Sequence, residues 1–241
     1  MGKQIVVQRR GRGTMTYRSH SHRFLACVKY RKYDSKEKES VIKGKIMDLV
    51  KCPGHTAPLA LVKFEDNKED YMIAPENIKV NDTIESGFTA APKTGNTLPL
   101  QNIEEGTLIY NIETFPGDGG KLCRASGTFA RILTKTRTGV TVELPSKKQK
   151  VFDPNCRATI GIIAGSGRTE KPWVKAGKKH HATRARGRLY PRTSPVAMNA
   201  VDHPFGSGRG RKVSKIKPVG PHTPPGRKVG FVSSRRTGRK K

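Results

Sequence analysis

The chain has 241 residues, of which 48 are lysine or arginine and 19 are aspartate or glutamate, so its formal net charge is +29. Only 34% of the residues are hydrophobic, against roughly 45–50% in an ordinary soluble domain, which argues against one core spanning the whole chain. No apolar run approaches the roughly 18 residues needed to cross a membrane, and the N-terminus lacks the apolar stretch of a signal peptide. Because the four cysteines are widely spaced, as reduced thiols usually are, we expect a cytosolic protein rather than a secreted or membrane protein.

The positive charge is concentrated at the two ends of the chain. Residues 1–32 carry a net charge of +9, residues 33–164 carry +1, and residues 165–241 carry +19. The last segment also holds 11 Gly and 8 Pro and few residues that form cores, so burial cannot offset its self-repulsion and ordering entropy. We therefore expect both ends to be extended or disordered alone, and ordered only against a polyanion. The nearly neutral middle should fold by itself.

The middle segment is predicted to be all β. Short runs rich in β-branched and aromatic residues alternate with turn residues, and no window keeps a helical period. The predicted strands are Val41–Val50, Leu59–Phe64, Tyr71–Ala74, Gly106–Glu113, Thr128–Leu133, Gly139–Leu144, Lys150–Phe152 and Thr159–Ala164. This spacing favours two small barrels joined near Gly87–Pro92. The predicted organisation is a basic N-terminal extension over 1–33, barrels over 34–86 and 87–165, and an extended basic tail over 166–241.

The glycine-rich run P-G-D-G-G-K at 116–121 superficially resembles a phosphate-binding loop. Phe115 stands where such a loop needs its first glycine, and Leu122 stands where it needs the Ser or Thr that binds magnesium. We therefore reject nucleotide binding and interpret the run as a loop or hairpin that lets the backbone approach RNA closely.

Two other chemical patterns are also incomplete. His20 and His22 have only Cys27 nearby, which is too few ligands for structural zinc. Gly165-Ser166-Gly167 lacks the flanking glycines of a nucleophile elbow. The sequence thus predicts no catalytic residue, no metal site and no cofactor.

Three Arg-Gly-Arg units indicate nucleic-acid binding: Arg10-Gly11-Arg12, Arg186-Gly187-Arg188 and Arg209-Gly210-Arg211. Glycine lets the backbone approach a crowded phosphate surface, and the guanidinium groups make forked contacts to phosphate oxygens. The alternative, a solvated charge run that only aids solubility, fits poorly with charge confined to two ends rich in Gly and Pro. Because aromatic content is only 6%, we expect stacking at isolated points and recognition mainly of backbone and shape.

Seven short motifs occur in order along the whole chain: G-N-T-L-P at 95–99, G-T at 106–107, N-I-E at 111–113, P-G-D-G-G at 116–120, S-G-T-F-A at 126–130, C-R-A-T-I-G at 156–161 and A-M-N-A-V-D-H-P-F-G-S-G at 197–208. Together they resemble the signature of the universal L2 family of large-subunit ribosomal proteins. The opening M-G-K-Q-I-V-V-Q-R-R-G-R-G, and Phe205 after His203-Pro204, are similar to the archaeal and eukaryotic branch.

The resemblance implies an oligonucleotide-binding-type barrel followed by an SH3-like barrel, with extensions that thread into large-subunit ribosomal RNA. It also implies a role in subunit assembly and subunit association, with other ribosomal proteins and the small subunit as partners, and a loop around His203 near the peptidyl-transferase region. By the same resemblance, Lys121, Arg124 and Arg157 are expected RNA contacts of the folded core. With the basic ends, the predicted RNA-binding residues are Arg9, Arg10, Arg12, Lys121, Arg124, Arg157, Arg168, Lys178, Lys179, Arg184, Arg186, Arg188, His203, Arg209, Arg211 and Lys212.

Two other functional classes remain as alternatives to a ribosomal protein. Basic Gly- and Pro-rich tails around a small core would also suit a protein that compacts DNA, although the 17 acids of the middle segment indicate a specific folded surface. An RNA-processing enzyme using Asp202-His203 would need a second carboxylate, a metal cluster or a cofactor loop, and the sequence offers none of these.

Overall fold

A computed structural model describes residues 2–208 and 217–234 of the chain. The chain divides into two compact units. One unit, Ser21–Pro172, is called here the β unit. The other unit combines both ends of the chain, Met1–His20 with Trp173–Lys241, and is called the terminal unit.

Within the described residues, the strands of the β unit belong to one sheet with the neighbour order β3-β2-β1-β4-β5-β10-β6-β7-β8-β9. Neighbouring strands are antiparallel except β4 and β5, which meet in parallel where Ser86 pairs with Thr97. The strands are β1 (Val41–Val50), β2 (Leu59–Phe64), β3 (Glu69–Ile73), β4 (Thr83–Gly87), β5 (Thr97–Pro99), β6 (Leu108–Tyr110), β7 (Ala130–Thr136), β8 (Gly139–Glu143), β9 (Gln149–Phe152) and β10 (Arg157–Ile160). The prediction of an all-β middle segment is confirmed.

Short helices precede and interrupt these strands. A turn of helix α2 (Ser35–Glu39) leads into β1, and 3₁₀ turns occupy Ser21–Arg23, Leu100–Asn102 and Ser166–Thr169. None of them is long enough to show a helical period in the sequence, which explains why the sequence did not predict them.

Three clusters of buried side chains form the interior of the β unit. The first is built from β1 to β4 and includes Ile46, Val62 and Phe64. The second is built from β5 to β10 and includes Ile109 and Ile132. Two separate clusters, each enclosed by its own strands, are consistent with an oligonucleotide-binding-type barrel followed by an SH3-like barrel.

The third cluster joins residues from both halves of the sheet. Leu59 of β2 and Ile73 of β3 pack there with Tyr110 of β6 and with Ile163. Tyr110 also donates a hydrogen bond from its hydroxyl to the carbonyl of Ile73 at 3.1 Å. The two halves therefore share buried surface, and we expect them to unfold together.

The N-terminal extension is shorter than the sequence predicted. Val28, Tyr30 and Arg31, which were assigned to the basic extension over 1–33, are buried in the β unit with exposures of 1%, 6% and 8%. The compact β unit begins at Ser21, so the predicted boundary at residue 33 cuts through packed residues. Because this segment is strongly basic, its composition predicted an extension, although Val28 and Tyr30 are apolar and buried.

The terminal unit has little apolar interior. It contains helices α1 (Val6–Arg9) and α3 (Ala176–Arg184) and a 3₁₀ turn at Pro195–Ala197. Among its described hydrophobic residues only Ile5 is buried, and α3 buries none of its side chains. The helix α3 differs from the extended tail that the sequence predicted. Among the described residues, no helix of either unit is long and apolar enough to span a membrane.

Candidate nucleic-acid interface

Arg157 lies in the interior of the β unit and does not face solvent. Its side chain is 2% exposed, and its guanidinium group donates to Glu113 Oε1 from Nη2 at 2.8 Å and from Nε at 3.2 Å. Nη1 donates to Glu37 Oε1 and to the carbonyl of Arg31, each at 3.0 Å. The planar fork is already occupied by buried acceptors, so the structure gives Arg157 an internal role, and its contact with RNA stays a prediction.

Two aromatic rings complete the surroundings of this guanidinium. The rings of Tyr30 and Tyr33 lie 5.1 Å and 4.7 Å from its central carbon, which is a cation–π distance. Burial lowers the pKa of Arg157, but hydrogen bonds and the charges of Glu113 and Glu37 outweigh burial and leave the pKa raised. Arg157 is therefore always charged, and its acidic partners are needed to keep that charge in the interior.

Glu113 connects the buried arginine to the glycine-rich loop at 116–120. Its carboxylate accepts hydrogen bonds from the backbone N–H groups of Gly117 at 3.2 Å and Gly119 at 2.9 Å. Gly120 adopts a positive φ of 82°, and a side chain there would collide with Asn111. The glycines are thus explained first by packing within the β unit, while close backbone approach to RNA remains a prediction.

Lys121 and Arg124 flank this loop and differ in accessibility. Lys121 is 59% exposed and its Nζ lies 2.5 Å from Asp118 Oδ1, where this contact lowers the pKa of Asp118. Arg124 is half-buried and donates to the carbonyls of Val28 at 2.7 Å and Gly120 at 3.2 Å. Lys121 can turn toward a phosphate, whereas Arg124 is mainly an internal support of the loop.

The terminal unit brings two of the predicted Arg-Gly-Arg units together. A cleft of about 800 Å³, called here the basic cleft, is lined by Arg10, Gly11, Tyr17, Lys179, Thr183, Gly187, Arg188, Leu189, Tyr190 and Arg192. A side chain at Gly187 would collide with the carbonyl of Tyr17 and lie 2.9 Å from the backbone nitrogen of Ser19. Glycine at this position therefore allows residues 17–19 and 186–188 to meet.

The basic cleft combines cations with aromatic rings. The Nζ atom of Lys179 lies 5.3 Å from the centre of the Tyr190 ring, and Tyr17 lines the same cleft. Four basic side chains around two rings can neutralise phosphates and stack on a base or a ribose. Tyr17 and Arg192 were missed by the sequence reasoning because neither belongs to an Arg-Gly-Arg unit.

Other predicted contacts are dispersed over the surface. Arg9 and Arg12 are exposed in the terminal unit, as are Lys178 and Arg184 on α3, whereas Arg186 is half-buried. Arg168, in the β unit, is exposed and donates to the Ser126 hydroxyl at 2.5 Å. The remaining predictions, Arg209, Arg211 and Lys212, lie outside the described residues.

His203 is held in a closed turn of the terminal unit. Its backbone N–H donates to the carbonyl of Asn199 at 3.2 Å, and its carbonyl accepts from Gly206 at 2.8 Å. The N–H of Phe205 donates to Nδ1 at 3.0 Å, which requires Nδ1 to be unprotonated. Burial also lowers the pKa of His203, which favours the neutral ring with its proton on Nε2.

The described residues contain no group of three or more His, Cys, Asp or Glu side chains placed to hold a metal ion. The four cysteines are free thiols, and burial raises the pKa of Cys123 to about 11 and of Cys156 to about 12. Neither of these two thiols is therefore activated as a nucleophile at neutral pH.

Comparison with known proteins agrees with the sequence motifs quoted above. Residues 3–86 match the family model "Ribosomal Proteins L2, RNA binding N-terminal domain", and residues 93–223 match "Ribosomal Proteins L2, C-terminal domain". Proteins named "Large ribosomal subunit protein uL2" are similar over the full length of both chains. Identity is 53% for Methanothermobacter thermautotrophicus, 51% for Methanococcus maripaludis strain C6 and 50% for Methanobrevibacter smithii. The chain therefore belongs to the ribosomal L2 protein family.

Proposed function

We propose that this protein is a structural constituent of the large ribosomal subunit and that it binds large-subunit ribosomal RNA. The observation that carries the proposal is the basic cleft, in which arginines and a lysine from both ends of the chain surround two tyrosines. Affinity for RNA comes mainly from neutralised phosphates, and stacking on aromatic rings adds to it. The curated relatives, which are named as large-subunit proteins, support the same conclusion.

The division of charge between the two units supports a division of labour. The segments of the terminal unit hold 24 Lys and Arg residues and a single acid, Asp202, which leaves a net charge of only +6 for the β unit. With so little apolar interior, the terminal unit gains its stability from a polyanion. The β unit is folded by its own core and supplies a shaped surface.

The proposal extends to the surroundings of the site. By family resemblance, the protein supports subunit assembly and association, contacts other ribosomal proteins and the small subunit, and contributes to the architecture near the peptidyl-transferase region. Its role is architectural and not enzymatic. The closed turn at His203 supports this, because Nδ1 is already occupied by the Phe205 N–H, which leaves Nε2 as a donor rather than a general base.

Sedimentation of cell extract tests the proposal against the DNA-compacting alternative. We expect the protein to co-migrate with large subunits and to remain there through high-salt washing, because it is enclosed by RNA. Nuclease treatment supplies the control: RNase should release the protein and DNase should not. Co-migration with chromatin that only DNase abolishes would contradict the ribosomal role.

Replacement of His203 by glutamine tests the architectural role of that turn. Glutamine retains an N–H donor but cannot titrate, so assembled large subunits carrying His203→Gln should form peptide bonds within about tenfold of the wild-type rate, whereas losing a general base costs roughly 10²–10⁴. The measurement is single-turnover peptide-bond formation by purified subunits across neutral pH. A loss of a hundredfold or more in fully assembled subunits, with a pH dependence near neutrality, would show that His203 takes part in the chemistry.

A further inference from the structure

The tip of the glycine-rich loop presents an aromatic ring to solvent. Phe115 is 74% exposed and begins a turn that is closed by a hydrogen bond from the N–H of Asp118 to its carbonyl at 3.1 Å. The Thr114 hydroxyl bonds the Asp118 carboxylate across the same turn. A single exposed apolar side chain is ordinary on a protein surface, so its significance depends on how it is held.

The backbone beneath this ring is fixed from the interior. Glu113, whose side chain is fully buried, accepts the N–H groups of Gly117 and Gly119, and Arg157 holds the Glu113 carboxylate at 2.8 Å. On the other side, the carbonyl of Gly119 accepts the N–H of Tyr30 at 3.1 Å. A contact made at this tip therefore costs little conformational entropy, because the loop is ordered before it binds.

Two exposed lysines, Lys29 and Lys121, border the loop. A Cβ at Gly119 would be 3.2 Å from the Cβ of Lys29, so the exposed Lys29 side chain starts against the loop backbone. Lys121 is exposed at the end of the loop, where it balances the charge of Asp118. An exposed ring on a loop that two lysines border suits an unstacked base with its phosphates, since every base offers a π-face and every phosphate a negative charge.

We propose that Phe115 is a base-stacking contact, which places its ring against an unpaired base in a loop or bulge of RNA while Lys29 and Lys121 neutralise the adjoining phosphates. This inference rests on the proposed function, because it assumes that the RNA is large-subunit ribosomal RNA. It adds to that function an RNA contact from the folded β unit, separate from the basic cleft, and it names the chemical class of the partner as single-stranded RNA.

The full-length protein and an in vitro transcript of archaeal large-subunit ribosomal RNA provide the test. We expect Phe115→Ala to raise the dissociation constant by about 5-fold to 150-fold, the range of one lost stacked base. Phe115→Trp should bind within about twofold of wild type, because it keeps a π-face. Phe115→Leu should resemble Phe115→Ala, since it keeps apolar surface without a ring. Phe129→Ala, which removes another exposed ring of the β unit, serves as the matched control.

Two further measurements distinguish a lost stacking contact from other causes of weaker RNA binding. The dependence of binding on salt should be unchanged in Phe115→Ala, because no charge is removed. Chemical probing of the transcript should show nucleotides that wild type and Phe115→Trp protect and that Phe115→Ala leaves reactive.

A failure of the stacking contact and a failure of the proposed function give different results. If wild type binds the transcript and every Phe115 variant binds within twofold with the same probing pattern, the stacking contact is wrong and the proposed function stands. If wild type shows no preference for this transcript over unrelated RNA, both are wrong.

Discussion

Replacing Arg157 with alanine should lower the free energy of unfolding by about 3–5 kcal/mol, the usual cost of leaving buried charges without their partner. Glu113 and Glu37 are both fully buried; in this variant Glu113 loses its guanidinium partner, and Glu37 keeps only Arg31, whose Nη1 lies 3.6 Å from Glu37 Oε2. Arg157→Lys keeps the charge but cannot make all four hydrogen bonds of the guanidinium group, so its loss of stability should be intermediate. Urea unfolding of the full chain, monitored through the β-strand signal in circular dichroism, measures both effects.

An exposed arginine of the same unit supplies the control. Arg137 lies in the turn between β7 and β8 and is exposed, so Arg137→Ala should change stability by no more than about 0.5 kcal/mol. Binding of RNA by Arg157→Lys should follow its folded fraction. If Arg157→Lys were as stable as wild type and yet bound RNA more weakly, the guanidinium would be a direct RNA contact and its buried position would be incorrect.

The strands that the sequence predicts best are those in which alternation is strong. Val41–Val50 and Leu59–Phe64 match β1 and β2 at both ends, since their buried residues alternate with lysines or form a continuous apolar run. The strands β4 and β5 were missed. Their sequences, T-I-E-S-G and T-L-P, are short and lack a clear alternation of apolar and polar residues. They are strands because β4 pairs with β1 and β5 pairs with β10, and they meet each other only where Ser86 pairs with Thr97.

The sequence did not predict the burial of Arg157, and there is a physical reason for this. In a chain with 48 basic residues, charge alone predicts solvent or RNA, and burial depends on acids that lie far away in sequence. In the structure, β10 (R-A-T-I) is buried at every position, as is typical of a strand covered on both faces, so its arginine is buried with it. The sequence held one signal in Glu113, because an acid shortly before a glycine-rich loop is well placed to accept its backbone N–H groups.

For the basic cleft, the sequence predicted the binding residues but not that they lie together. The Arg-Gly-Arg units at 10–12 and 186–188 were each predicted to bind nucleic acid, and that prediction needs only local composition. Their meeting in one cleft depends on Gly187 allowing residues 17–19 to approach, which is a contact between the two ends of the chain. Pairing over such a separation leaves no local pattern in the sequence.

Binding to large-subunit ribosomal RNA should weaken far more steeply with salt for the full chain than for residues 21–172, the β unit. Each neutralised phosphate adds roughly 0.7–0.9 to the slope of log affinity against log salt, and 6–10 of them cost about 10³–10⁵ in affinity between about 50 and 200 mM salt. The full chain carries +29 and the β unit +6, so the fragment should lose only about tenfold over that range. Filter binding at several salt concentrations measures both slopes.

The bounds of the fragment matter to this experiment. A fragment over 34–165 would lack Val28, Tyr30 and Arg31, which are buried in the β unit, and its weak binding would report misfolding.

Within the full chain, Lys179→Ala with Arg188→Ala removes two cations of the basic cleft and should lower the slope by about 1.4–1.8. Lys147→Ala with Lys148→Ala removes the same charge from an exposed turn of the β unit and should lower it much less. Equal slopes for the full chain and for residues 21–172 would mean that the terminal unit does not supply the electrostatic part of RNA binding. Equal losses of slope for the two double variants would mean that the basic cleft contributes no more to this binding than other exposed lysines.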